Sequence, residues 1–267
     1  MRFFILITHR SSLITNKMNN NLIQYIFGIA DNCLILGQRL GELCGHGPSL
    51  ETDIALTNIS LDLLGQTRSY YQYVAQLQGG DVTEDTVAFL RVENQYLNTL
   101  LVEQPNTDFG YSIARQFLFD VFHLLLLEEL QNSKDENLSA IAKKSIKEVL
   151  YHKRFSSDWI KRLGDGTDES HNRIQTAIND LWIFTDELFH QTDADKAMVL
   201  EGIGVDVTLL KTKYYKEVSE ILEEATLQTP QIEYFQKGGK QGIHSEHMGY
   251  ILTELQYMQR TYPNMTW

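Results

Sequence analysis

The chain has 267 residues, of which 43% are hydrophobic, and a formal net charge of −12. This is enough apolar chain for a sizeable core, because domains commonly run to roughly 100–200 residues. An acidic surface repels phosphate groups, which argues against binding to nucleic acid or to an anionic membrane. No segment reaches the roughly 18 uninterrupted apolar residues that span a bilayer, so we expect a cytoplasmic protein.

The first seventeen residues stand apart from the helical pattern that follows them. Residues 3–7 are apolar, but this run is shorter than the roughly 7–15 residues of a signal-peptide core, and no small-residue cleavage site follows. Met18 stands just before the first helical repeat. We therefore predict that residues 1–17 are an extension outside the fold and that residues 18–267 form a single domain.

Hydrophobic periodicity predicts helices along the rest of the chain. The first carries an apolar seam from Leu22 to Leu43, and the others cover residues 51–77, 84–102, 108–132, 138–163, 171–189, 193–200, 207–227 and 245–260. Residues 117–127 are apolar on nearly every side, which is typical of a helix in the middle of a bundle. The sequence predicts an all-α fold, and long helices with central polar residues favour a ferritin-like bundle.

Polar side chains interrupt the apolar faces of four predicted helices. They are Glu42, Asp62, Asp120, His123, Glu148 and His152. Carboxylates and imidazoles that converge from four helices are what a di-iron site uses, because iron ions need several anionic oxygens with imidazole completing each coordination sphere. The usual arrangement is one Glu on each of two helices and Glu-x-x-His on each of the other two.

The ligand spacing for two irons is incomplete in this chain. Gly65 and Tyr151 lie three residues after Asp62 and Glu148, at the positions where histidine would be required. We therefore predict a degenerate site: a hydrogen-bonded polar cluster with no catalytic residue, no bound metal and no cofactor of its own. A separate match to Glu-x-x-His, from Glu187 to His190, lies at a predicted helix end and has no second copy, which favours a surface pair.

Several longer motifs resemble those of one known family and occur in the same order. They are residues 31–46 (DNCLILGQRLGELCGH), 61–66 (LDLLGQ), 101–106 (LVEQPN), 151–156 (YHKRFS), 162–168 (RLGDGTD) and 238–247 (GGKQGIHSEH). From about residue 18 to residue 267, the chain resembles the C subunits of phenylacetyl-CoA 1,2-epoxidases. These are multicomponent oxygenases of aerobic phenylacetate breakdown.

The resemblance implies a role that agrees with the incomplete ligand set. In this family a catalytic A subunit holds the di-iron centre and oxidises the aromatic ring, a B subunit helps assembly, and a reductase supplies electrons. The C subunit lacks iron and supports A structurally. The resemblance also implies contacts with phenylacetyl-CoA through two segments, namely Gln95, Tyr96, Leu97 and Asn98, and Lys196, Ala197 and Met198. Ordinary helix surface is the alternative for both, and Lys196 departs from the apolar residue expected there.

Three functions are open at this point. The first is a non-catalytic structural subunit of a ring epoxidase. The second is a catalytic di-iron oxygenase with unusual ligand geometry, which would use Glu42, Asp62, Asp120, Glu148 and His152 and would contain stoichiometric iron. The third is a metal-free helical adaptor of another pathway, which would have no affinity for an epoxidase A subunit. The first accounts for both the ligand spacing and the resemblance.

Overall fold

A computed structural model describes residues 2–263 and 265, with side chains from residue 17 onward. Within this part of the chain there are α-helices and short 3-10 turns but no β-strand, which confirms the all-α prediction. The α-helices are α1 (Arg2–Gly41), α2 (Leu50–Gln78), α3 (Glu84–Phe89), α4 (Phe109–Leu130), α5 (Glu136–Gly164), α6 (Asp168–Trp182), α7 (Asp193–Leu200), α8 (Lys211–Glu224) and α9 (Glu246–Thr261).

Four long helices, α1, α2, α4 and α5, make the body of the bundle. The helix α1 packs along α2, α4 packs along α5, and the two pairs meet where α2 contacts α5. The helix α6 covers another side of α4, while α7 lies against α1. Side-chain caps begin several of these helices: Ser49 caps α2, Asp108 caps α4 and Asp135 caps α5, each by accepting a backbone N–H of the first turn.

The helix α4 lies at the centre of the bundle. Every residue from Ser112 to Leu127 on it is buried, as the apolar stretch in the sequence predicts. Burying one large apolar side chain contributes roughly 1.5–3 kcal/mol, so this helix supplies a large share of the hydrophobic stabilisation. Its few polar side chains are therefore enclosed by protein and must find partners there.

The helix predicted over residues 84–102 is wrong after residue 89. The helix α3 ends at Phe89, and residues 90–108 run irregularly apart from a 3-10 turn at Glu93–Gln95. Side chains of α1 accept hydrogen bonds from backbone N–H groups that in a helix would donate to carbonyl oxygens of the same helix. Asp31 accepts from Leu97, and Asn32 accepts from Thr99. Helical periodicity does not reveal this irregular backbone, because its hydrogen-bond partners lie far away in the chain. The helix predicted over residues 171–189 likewise ends at Trp182, before a 3-10 turn at Thr185–Phe189.

The backbone of residues 2–16 is helical and belongs to α1. The side chains of residues 1–16 lie outside the described part, so nothing tests whether residues 1–17 are an extension outside the fold, and this stays a prediction. Among the described residues, none of the helices combines the length and the apolar character that crossing a membrane requires.

Candidate functional site

Two pairs of polar side chains join α2 to α5, each between a buried residue (His152 or Gln66) and a partly exposed carboxylate (Asp62 or Glu148). Asp62 Oδ2 accepts from His152 Nε2 at 3.0 Å, and Glu148 Oε2 accepts from Gln66 Nε2 at 3.1 Å. The helices run antiparallel here, because the earlier residue of α2 meets the later residue of α5. On each helix the two paired residues are four positions apart, which places them on one face.

Asp120 is the central carboxyl of α4 and is fully buried. Its Oδ1 accepts from Gln116 Nε2 at 2.6 Å, and its Oδ2 accepts from Ser156 Oγ at 2.8 Å. Burial raises the pKa of Asp120 to about 7, against a lowering by the nearby His152 and by these two hydrogen bonds. A carboxyl with this pKa is partly protonated at neutral pH, which reduces the cost of burying its charge.

His123 is a neutral core histidine. Burial lowers its pKa to about 3, and the nearby charge of His152 adds to this lowering. Its Nε2 lies 3.8 Å from the thiol of Cys33, which in turn lies 4.0 Å from Gln66 Oε1. The cluster therefore continues from Glu148 through Gln66 and Cys33 to α4. Within the described part of the chain, the Nδ1 atoms of His123 and His152 have no hydrogen-bond partner.

Glu42 does not belong to this cluster, so its predicted place is wrong. It lies on the surface at the end of α1, where it pairs with Arg39 at 3.0 Å and accepts from Asn106 Nδ2 at 3.0 Å. Helical spacing placed it on the flank of the buried seam, but α1 ends at Gly41 and the chain turns away there. The other five residues, Asp62, Asp120, His123, Glu148 and His152, do lie on facing helices of the cluster.

The donor set does not fit the ligand pattern of a di-iron centre. Gly65 is exposed and Tyr151 is half-exposed, so the two positions that would need histidine point away from the cluster. The inward positions are those one residue later, Gln66 and His152, and they bond to Glu148 and Asp62 instead. Among the described residues, no three His, Cys, Asp or Glu side chains form a group that could hold a metal ion.

The two segments implied as substrate contacts present only part of their side chains. Gln95 and Lys196 are exposed, Leu97 and Ala197 are half-buried, and Tyr96, Asn98 and Met198 are buried. Gln95 and Leu97 line an open cleft of about 1010 Å³ between α1, the end of α2, and α3. The amide side chains of Asn20, Gln24, Gln78 and Asn94 also line it. The three buried residues can support a ligand contact but not make one.

A buried ion pair between Asp31 and Arg91 lies against the backbone of residues 95–98, the first of these two segments. Asp31 accepts from both terminal nitrogens of Arg91, at 3.0 and 2.6 Å, and also from the Tyr71 hydroxyl and the Leu97 backbone N–H. The Arg91 guanidinium lies over the rings of Phe27 and Tyr96, 4.2 and 4.1 Å from their centroids. Asp31 thus holds the irregular backbone at 95–97 against α1, and its own charge is neutralised by Arg91.

Glu187 is fully buried and is not the surface residue that its motif suggested. Its carboxylate accepts backbone N–H groups from Leu100, Gly238 and Lys240, at 2.7, 2.7 and 3.4 Å. His190 lies outside this contact, and its backbone oxygen accepts from Lys240 Nζ. The sequence signal that could have found Glu187 is the glycine-rich loop at residues 238–242, which leaves several backbone N–H groups in need of an acceptor.

Comparison with known proteins places the chain in a family. The model of a family described as "Phenylacetic acid catabolic protein" matches residues 7–267. The chain belongs to this family. It is also 51% identical over 249 residues to the C subunit of the 1,2-phenylacetyl-CoA epoxidase of Escherichia coli strain K12, covering 93% of this chain and 100% of that relative. Both findings confirm the resemblance seen in the sequence motifs.

Proposed function

We propose that this chain is the structural, iron-free C subunit of a phenylacetyl-CoA epoxidase. In this proposal it has no catalytic residue of its own, and its main partner is the catalytic A subunit, which holds the di-iron centre. The B subunit and the reductase are further partners in the same complex. The observation that carries the proposal is 51% identity to an epoxidase C subunit across the whole length of that relative.

The geometry of the polar cluster supports the iron-free part of the proposal. Two iron ions need several free carboxylate oxygens and imidazole nitrogens that point at one place. Here the Asp120 carboxyl accepts from two protein donors, while Asp62 and Glu148 each accept from the opposite helix. On this proposal the fold is a ferritin-like bundle in which hydrogen bonds between side chains replace the metal.

The surface of the first segment supports a lesser proposal, a contact with the CoA thioester. Gln95 stands at the edge of a cleft lined by several amides, and a neutral, amide-bearing chain such as pantetheine would find both donors and acceptors there. Lys196 is exposed and could meet a phosphate, although it also lies 3.7 Å from Asp193. Neither residue would take part in the oxidation.

The first test is metal content, measured by elemental analysis on the chain alone and on the chain co-purified with its A subunit. We expect no stoichiometric iron in the chain alone and about two irons per A subunit in the pair, as a two-metal site requires. Close to two irons in the chain alone would overturn the proposal. Failure of the chain to co-purify with an epoxidase A subunit would favour the adaptor alternative.

A pair of substitutions identifies which of the two partners holds the iron. Asp120→Asn changes the central carboxyl, and Asp158→Asn changes an exposed residue on α5 as the matched control. Both co-purified pairs should retain the iron and the turnover of the unsubstituted complex. Loss of iron in Asp120→Asn alone would mean that this chain ligates it.

A further inference from the structure

Two segments that are far apart in the chain meet at one buried carboxylate. Glu187 Oε2 accepts from the Leu100 backbone N–H, just after the segment 95–98, and Glu187 Oε1 accepts from Gly238 and Lys240 in the glycine-rich loop. The carboxylate has no exposed surface. These N–H groups therefore orient the carboxylate, and the carboxylate in turn holds the two backbone segments in place.

The glycine-rich loop presses directly on the back of the segment 94–98. A Cβ atom added at Gly239 would collide with the backbone oxygen of Asn98, and one added at Gly242 would collide with that of Asn94. Gly242 also has a φ of +75°, which an L side chain rarely adopts. The loop can approach this closely only because both positions lack side chains. The loop therefore supports the segment on one side, while Asp31 holds it against α1 on the other.

The same loop reaches α7 through Lys240. Its ammonium group lies 2.9 Å from Asp195 Oδ2, with both side chains nearly buried, and donates to the His190 backbone oxygen at 2.6 Å. Asp195 directly precedes Lys196 and accepts from the Thr192 backbone N–H at the start of α7. One connected network thus runs from Leu100 through Glu187, the loop and Lys240 to the first turn of α7.

We propose that Glu187 is a positioning residue that holds the segment 95–98 and the first turn of α7 in one fixed arrangement for the substrate. This rests on the proposed function, in which Gln95 and Lys196 contact the CoA thioester. Glu187 touches neither the ligand nor the reacting atoms. It acts by accepting backbone N–H groups from both sides, and Lys240 carries the restraint on to Asp195.

The test uses the complete complex with Glu187→Gln, in which an amide of the same shape replaces the carboxylate. One of the two acceptor oxygens becomes an NH₂ group that faces a backbone N–H, so one side of the network is released. We expect KM for phenylacetyl-CoA to rise about fivefold or more with kcat nearly unchanged, since only substrate binding is altered. Glu187→Asp, which keeps both oxygens, should recover part of the loss.

Two further variants keep the result decisive. Asp120→Asn is the matched control, because this buried carboxyl accepts from Gln116 and Ser156 and not from the loop, and it should leave KM unchanged. Lys240→Met cuts only the link to Asp195 and His190, and it should raise KM in the same direction as Glu187→Gln. If Glu187→Gln does not assemble, Lys240→Met alone decides, and an unchanged KM in it overturns the proposal.

Amide hydrogen exchange separates positioning from stability in general. In Glu187→Gln, exchange should become faster at Leu100, Gly238 and Lys240 but not in α4. If exchange becomes faster there while KM stays unchanged, Glu187 only stabilises the fold, and the inference is wrong. If Gln95→Ala and Lys196→Ala also leave KM unchanged in an active complex, this chain does not contact the substrate. The structural role proposed above would survive that outcome.

Discussion

Single buried carboxylates hold much of the irregular part of this chain in place. Asp31 and Glu187 accept the N–H groups of Leu97 and Leu100, which have no helical partner. Glu103 accepts in the same way from the Ser245 backbone N–H at 2.8 Å. Because a buried unpaired N–H costs roughly 1–3 kcal/mol, each of these side chains stabilises a backbone that would otherwise not fold this way.

Asp31→Asn should be among the most destabilising single changes in the chain. It leaves the buried guanidinium of Arg91 without its counter-charge, and breaking a buried pair in this way typically costs about 3–5 kcal/mol. Urea unfolding measures the loss. Arg68→Gln is the control, because the Arg68–Glu84 pair is largely exposed and such pairs are worth about 1 kcal/mol or less. Equal effects of the two changes would contradict this account.

His244 should make stability fall as pH rises above the usual range of histidine. Both ring nitrogens face acceptors, Glu103 Oε2 at 3.1 Å and the Tyr96 backbone oxygen at 2.9 Å, so the ring is held as the imidazolium. Burial opposes the charge, but the hydrogen bond to Glu103 and its charge, followed by the hydrogen bond to the Tyr96 backbone oxygen, raise the pKa of His244. The contribution of His244 to stability is complete below its pKa in the unfolded chain and is lost as pH rises through its pKa in the folded chain.

The measurement is the free energy of unfolding against pH in an Asp120→Asn background. This background is needed because Asp120, with its pKa raised to about 7, also makes stability fall as pH rises from its ordinary pKa of 3.8 towards that value. His244→Gln in the same background should flatten the remaining slope. If the slope of unfolding free energy against pH stays unchanged in this variant, the slope belongs to a titrating group other than His244.

At the scale of elements, the long helices could be predicted and the connection between α3 and α4 could not. The helices α2, α4 and α5 follow from apolar periodicity and lie close to the predicted spans, because their stability comes from a continuous buried face. The irregular backbone at residues 97–100 depends on Asp31, Asn32 and Glu187, whose positions only the folded chain reveals. Local periodicity contains no information about such distant acceptors.

The polar cluster, too, could be predicted only in part. Asp120 and His123 could be predicted as buried, because they interrupt an otherwise apolar helix. The crosswise pairing of Asp62 with His152 and of Gln66 with Glu148 could not, because it depends on how α2 and α5 lie against each other. Helical spacing predicts that Glu42 faces the cluster, but α1 ends at Gly41, and helical spacing does not apply beyond the end of a helix.

Two glycines inside helices should respond to alanine in opposite ways. A Cβ at Gly28 in α1 would meet nothing within 4 Å, so Gly28→Ala should stabilise the chain by up to about 1 kcal/mol through helix propensity. A Cβ at Gly164, at the end of α5, would collide with the backbone oxygen of Ala225, so Gly164→Ala should destabilise it. Thermal unfolding of both variants tests this. A loss of stability in Gly28→Ala would show that something else needs that space.

For the whole molecule, we predict that ferrous iron leaves the unfolding temperature of the isolated chain unchanged. A ligand that binds only the folded state raises this temperature, and the rise grows with ligand concentration above the Kd. Here the carboxyl groups that could bind iron accept from protein donors instead. Differential scanning calorimetry without oxygen is the measurement, and calcium at equal concentration is the control for non-specific binding to an acidic surface. A rise that is specific to iron and grows with its concentration would contradict the prediction.

The two hydrogen-bonded pairs, Asp62–His152 and Gln66–Glu148, also fix the register of α5 along α2. An apolar interface tolerates sliding by one turn, because one leucine replaces another at little cost. If α5 slid by one turn along α2 so that Asp62 lay opposite Glu148, two carboxylates would face each other and both present hydrogen bonds would be broken. Single buried polar residues fix the register of coiled coils in this way. The Asp62–His152 and Gln66–Glu148 pairs thus oppose a shifted packing of α2 on α5.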